Sequence, residues 1–139
     1  MRCRVAIAWN PLTSCSGGTW GRKMAPPAST AVVVDGNGVF VTGGFRDTAH
    51  FGSSALTSRG DEDVFVASYS TDDGTLRWVV QAGGPELDVG AGIAIYPDGT
   101  LGVAGIYRDH AYFGQTKLTA LGMTDAFVWR LRPPTTSTP

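Results

Sequence analysis

Thr30-Ala-Val-Val-Val-Asp-Gly-Asn-Gly-Val-Phe-Val-Thr-Gly-Gly-Phe45 reads as two apolar runs folded back on each other. Between them, Asp35-Gly-Asn-Gly38 supplies side chains that bond their own turn and glycines free to take positive φ, the signal of a β-hairpin. The text then returns. Shifting the chain by about 62 residues sets Ser29 to Tyr69 on Ala91 to Leu131 without a gap, and about a dozen positions coincide. Val41-Thr-Gly43 comes back as Val103-Ala-Gly105, Arg46-Asp47 as Arg108-Asp109, Phe51-Gly52 as Phe113-Gly114, and Leu56-Thr57 as Leu118-Thr119. Gly60, Asp63, Phe65 and Val66 come back as Gly122, Asp125, Phe127 and Val128.

Each copy divides at its turns. Thr30 to Val34 and Val39 to Phe45 form the first hairpin, and Ile93 to Tyr96 and Leu101 to Tyr107 its counterpart. After a longer polar segment, Val64 to Ser68 and Leu76 to Ala82 flank Thr71-Asp-Asp-Gly74 as a second hairpin. One repeat thus predicts four antiparallel strands. Val32-Val-Val34, Val64-Phe-Val-Ala67 and Phe127-Val-Trp129 are apolar on both sides of a period-2 strand, so both faces call for cover and the sheets should stack.

These units resemble the bacterial SBBP-type β-propeller repeat over about Ser29 to Leu131. The resemblance is carried by Val39-Phe-Val-Thr-Gly43, Phe51-Gly52, Leu56-Thr-Ser58, Gly60, Asp63-Val-Phe-Val-Ala67 and Asp73-Gly-Thr-Leu-Arg-Trp78. The second copy is looser, with Ala104 for Thr42 and Trp129 for Ala67, and Pro133-Pro134 stands where its last strand is due. The resemblance implies an all-β fold of stacked four-stranded antiparallel blades, an incomplete propeller. It divides into a head (1–28), a full blade (29–90), a blade lacking its last strand (91–132) and a disordered tail (133–139). It also implies a secreted or cell-surface bacterial protein with a structural or protein-binding role and no enzymatic activity. A lectin-like carbohydrate-binding module and a fragment of a larger propeller enzyme are the alternative readings. A closed propeller needs about 4 to 8 blades, so unpaired blade edges are expected to invite self-association.

Composition narrows the partners. Eleven Lys and Arg against 12 Asp and Glu give a net charge of -1, which provides no pull toward nucleic acid. No apolar stretch reaches the roughly 18 residues of a membrane span. The partner expected is a protein or a glycan, with no cofactor.

The head has two readings. Arg4 to Trp9 and Gly18 to Trp20 fit remnants of a preceding blade's last two strands. Met1-Arg-Cys-Arg4, the apolar run to Trp9 and Leu12-Thr-Ser-Cys15 instead resemble a lipoprotein signal in which Cys15 is lipidated and the chain lipid-anchored, although Asn10-Pro11 interrupts the run.

Chemistry-bearing residues are few. His50 and His110 occupy non-equivalent positions, and no His-x-His, Gly-x-Ser-x-Gly or phosphate-loop pattern occurs, so neither a metal site nor a catalytic residue is assigned. Acidic turns at Asp35, Asp61 and Asp72-Asp73 lack the spacing of a calcium loop. Arg46, Asp47, Arg108 and Asp109 recur as a charged pair after each repeat's second strand and, with Trp129, are the candidate binding residues. Asp63 and Asp125, each before the third strand, are expected to bond backbone amides, and Gly43 and Gly105 to hold strand structure.

Overall fold

The computed structural model describes residues 4–5 and 28–135, all of them strand, turn or irregular chain with no helix. A short strand β1 (Arg4–Val5) precedes β2 (Ala28–Asp35), β3 (Gly38–Phe45), β4 (Thr48–Phe51), β5 (Ser54–Thr57), β6 (Asp63–Tyr69) and β7 (Leu76–Ala82). The second copy supplies β8 (Val89–Ile95), β9 (Leu101–Tyr107), β10 (His110–Phe113), β11 (Thr116–Thr119) and β12 (Asp125–Leu131). The first copy forms a four-stranded antiparallel sheet in the order β2-β3-β6-β7, and the second a three-stranded antiparallel sheet in the order β12-β9-β8. No barrel closes.

The polar segment that reads as a loop in the sequence is a further hairpin in each copy, β4 with β5 and β10 with β11. Gly52 and Gly114, the glycines of the recurring Phe-Gly pair, make these turns at φ of +57° and +63°, where a side chain would be strained. Each hairpin lays an aromatic residue on its sheet. Phe51 meets Phe45 and Phe65 at ring-centroid distances of 6.1 and 4.8 Å, and Phe113 meets Tyr107 and Phe127 at 6.5 and 4.5 Å.

From β3 onward, strands of the two copies coincide under the gapless alignment, but the first strand is one residue out of step. Val34 pairs with Val39, leaving four residues in the turn, whereas Ile95 pairs with Leu101, leaving five. Val32 and Val34 therefore correspond to Ile93 and Ile95. A bulge at Ser29/Ala31 and another at Gly90/Gly92 keep the same correspondence. A one-residue slip turns a strand's side chains to the opposite face, so the gapless match assigns the wrong faces to β8.

The two sheets stack, with β8 lying across β2 and β3. Their shared core gathers Phe40, Val64, Val66 and Ala82 from the first sheet and Leu101, Val103, Tyr107 and Phe127 from the second, with Ile93, Ile95 and Trp129 packed against it. A second core fills the other face of the first sheet beneath β4 and β5, built on Val39, Val41, Phe45, Phe51, Phe65 and Ala67. The central strands β3 and β6 are consequently buried along their whole length. In the second sheet, β9 alternates between buried and open positions, because its other face is uncovered.

The head meets this body at one described point, where Arg4 and Val5 pair in parallel with His50 and Phe51 of β4. The remainder of the remnant-strand reading, Gly18 to Trp20 included, and the lipidation reading at Cys15 lie outside the described residues. Pro133 and Pro134 are irregular and lie beside the β2–β3 turn.

Candidate functional site

Charged residues concentrate at the end of the stack where β3 and β9 run out. There Asp47 and Asp109 take φ of 53° and 55°, a left-handed conformation that Asp tolerates better than most side chains. Each then offers its carbonyl to the far side of the hairpin, Asp47 accepting from the Ser58 amide at 2.8 Å and Asp109 from the Ala120 amide at 2.7 Å. The two recurring aspartates thus sit at backbone corners. Arg46 turns away from Asp47 to Asp61 at 3.1 Å and Glu62 at 3.2 Å, while Arg108 donates to Thr124 Oγ1 at 3.1 Å, the position corresponding to Glu62. These pairs are solvent-exposed and contribute little to stability.

Asp63 is fully buried at the entrance to β6, accepting from the Arg59 amide at 3.1 Å and from Gln81 Nε2 at 2.7 Å. Asp125 accepts from the Leu121 amide at 3.0 Å, the same bond one repeat later. Sequence reading overlooked a third carboxylate, Asp88, which is also fully buried and accepts from the Gly84 amide at 2.7 Å and the Arg108 amide at 3.3 Å. It joins the inter-repeat segment to the second Arg-Asp loop. Burial raises the pKa of both Asp63 and Asp88, the latter to about 6, with the charge of Asp63 adding to the effect on Asp88. A lone Asp after Gly-Gly-Pro carries no repeat signature, because no described residue of the first copy corresponds to it.

Gly105 lies where β8, β9 and β12 crowd together, and a Cβ there would sit 2.0 Å from the Val89 carbonyl oxygen and 2.8 Å from the Phe127 ring. Gly43 is buried between Ser29 and Phe65 in the corresponding ladder position. Trp129 faces the shared core, half-buried, with its ring 5.5 Å from that of Phe113. It is therefore not brought together with the Arg-Asp loops. His110 contacts Asp109 and the ring of Tyr112, and His50 lies in the other copy's hairpin.

Two surface features remain. A cleft of about 230 Å³ opens between the sheets at the opposite end, lined by Asp35, Asn37, Phe40, Arg77, Trp78 and the two prolines among others. The second is the uncovered face of the second sheet. Val128 is 78% exposed there, beside Ile106 and Tyr96, and Leu121 and Met123 in the preceding loop are 99% and 89% exposed. In the first copy the counterpart of Val128, Val66, is buried in the shared core, and the loop before β6 is bonded to the segment after β7. There Asp61 and Glu62 donate backbone amides to the Pro85 and Glu86 carbonyls, and Glu62 accepts from the Asp88 amide. Among the described residues, no His, Cys, Asp and Glu are grouped to hold a metal ion, and no helix is long and apolar enough to cross a membrane.

Stacked antiparallel sheets with an open apolar face place the chain among all-β repeat architectures. No family model, curated protein or solved structure matches it.

Proposed function

We propose that the chain is a non-enzymatic module of propeller-like blades, serving a structural or protein-binding role in an exported bacterial protein. The observation that carries this reading is the uncovered apolar face of the second sheet. Isolated exposed apolar residues are ordinary, but Val128, Ile106, Tyr96, Leu121 and Met123 are drawn from one sheet face and its adjoining loop, the kind of surface that marks a protein interface. The corresponding strand order of the two sheets and the hairpin that each copy adds support the blade reading. Photo-crosslinking from a benzoylphenylalanine at position 128 tests the role. Covalent adducts with protein are expected there and not from the turn at Asp72; absence of protein adducts at position 128 overturns the reading.

A glycan-binding reading is favoured by a different observation, the inter-sheet cleft. The half-buried indole of Trp78 there adjoins Asp35, Asn37 and Arg77, an apolar ring face beside hydrogen-bonding groups, which suits a sugar. A glycan array tests it: binding that Trp78→Ala abolishes supports a lectin-like module, and an array without signal removes it.

A further inference from the structure

The uncovered face of the second sheet and the exposed strip of β2 occupy the two matching halves of an interface that the molecule already contains. Inside the chain, the receiving half is the first sheet's face, with Val64 and Val66 on β6 fully buried. The inserting half is the first strand of the second sheet, whose Ile93 and Ile95 pack into that core. One repeat further on, the residues in register with Val64 and Val66 are Ala126 and Val128, opposite Ile106 and Ala104 of β9. Those four are exposed. One repeat back, the residues in register with Ile93 and Ile95 are Val32 and Val34, which are 62% and 58% exposed.

Receiver and inserter thus stand open at opposite ends of the stack, and both are apolar. The correspondence is visible only after the one-residue slip in β8 is allowed for, since the gapless alignment matches Ile95 with Val33, a residue packed against the shared core. The loop before β12 agrees. Leu121 and Met123 lie in register with Arg59 and Asp61, whose loop in the first copy is bonded to the segment leading into the next sheet, Arg59 donating to the Gly83 carbonyl and the Asp61 amide to that of Pro85. Charge does not oppose the contact, because the Val32 and Val34 positions and the Ala104, Ala126 and Val128 positions are all neutral.

We infer that the uncovered face of the second sheet receives the first sheet of a second copy of this chain, Val32 and Val34 of one copy packing on Ala104, Ile106, Ala126 and Val128 of the next. The inference rests on reading that face as a protein-docking surface and names its partner. The contact is head-to-tail, so each copy keeps one inserting and one receiving surface, and the assembly either closes into a ring or extends. A face-to-face pairing of two second sheets would use the receiving surface alone.

Sedimentation velocity over a range of concentrations, with paired variants, separates these outcomes. Wild-type chain is expected to associate as concentration rises. Val34→Asp, which blocks the inserter, and Val128→Asp, which blocks the receiver, are each expected to remain monomeric at concentrations where the wild type associates. An equimolar mixture of the two is expected to form a one-to-one complex, because one retains an intact inserter and the other an intact receiver. Circular dichroism melts check that both variants fold, and Val32→Lys with Ala104→Arg provides a second pair should either fail to do so. A monomeric wild type overturns the inference, as does a Val34→Asp chain that still dimerises or a mixture that gives no complex. Cross-links from position 128 to a different protein, with the wild type monomeric, overturn the second-copy partner and leave the docking reading standing; no protein adduct at all removes both.

Discussion

Two aspartates next to the seam between the copies are held out of water at a cost that depends on pH. Asp88 has its pKa raised from 3.8 to about 6 chiefly by burial, and Asp63 is shifted in the same direction for the same reason. A carboxylate that binds its proton more tightly folded than unfolded stabilises the protonated native state, so its contribution is fully present below the unfolded pKa and is lost as pH rises through the folded one. For Asp88 the loss between roughly pH 4 and pH 6.5 amounts to about 3 kcal/mol. Exposed Asp73 and Asp98 act oppositely. Their carboxylates accept from the amides and hydroxyls of Thr75 and Thr100, which lowers their pKa values, so they favour the fold above pH 3.8 and cease to do so on further acidification. The melting temperature should therefore peak in mild acid and fall toward neutrality, and Asp88→Asn should flatten the fall, as melts between pH 4 and pH 8 would register. Asp63→Ala is expected to cost about 1 to 3 kcal/mol in mild acid and less toward neutral pH, where the buried carboxylate is charged, since it takes the acceptor from the Arg59 N–H and leaves Gln81 Nε2 with the Thr57 carbonyl alone; an unchanged urea midpoint in mild acid would contradict this.

The strands themselves differ in how openly their sequence announces them. Val39 to Phe45 and Val64 to Ser68 stand out because apolar runs are bounded by Asp-Gly turns, and the structure places strands over both. Strands β4, β5, β10 and β11 hide, since four-residue strands with Thr, His and Lys on their outer side carry too little apolar text for a period to show. Only their recurring Phe-Gly and Leu-Thr anchors betray them. The slip in β8 hides for another reason: no identity precedes Val41 in the gapless alignment, so nothing in the text opposes the wrong register. The charged Arg-Asp pairs were legible as recurring but not as backbone corners, because a left-handed Asp and a ligand-binding Asp look alike in sequence. If the hairpins are structural elements, removing their anchors should be severe. Phe51→Ala, which empties a fully buried aromatic site between Phe45 and Phe65, is expected to cost about 3 to 5 kcal/mol. Phe113→Ala should fall at a similar or smaller value because its surroundings are less enclosed, and denaturant midpoints of the two variants give the comparison.

At the scale of the whole molecule the two sheets are unequal partners. The first has cores on both faces and four strands, whereas the second has three strands, one covered face and no described core that it does not share. Its order therefore depends on the seam. That seam is tight at Gly90, where a Cβ would stand 2.2 Å from Thr42 Oγ1 and 3.3 Å from Val64 Cγ1, so only a glycine lets β8 settle on β3 and β6. Proteins open in cooperative units of unequal stability, and the unit with fewer buried contacts opens first. Native-state hydrogen exchange should accordingly show the amides of β9 and β12 opening at lower free energy than those of β3 and β6 in the wild-type chain. Gly90→Val should widen the gap by lifting the second sheet off the first, lowering protection in β8, β9 and β12 while β3 and β6 keep theirs through the core beneath β4 and β5. Equal loss of protection across all five strands would mean that the stack unfolds as one unit and that the second core does not sustain the first sheet alone.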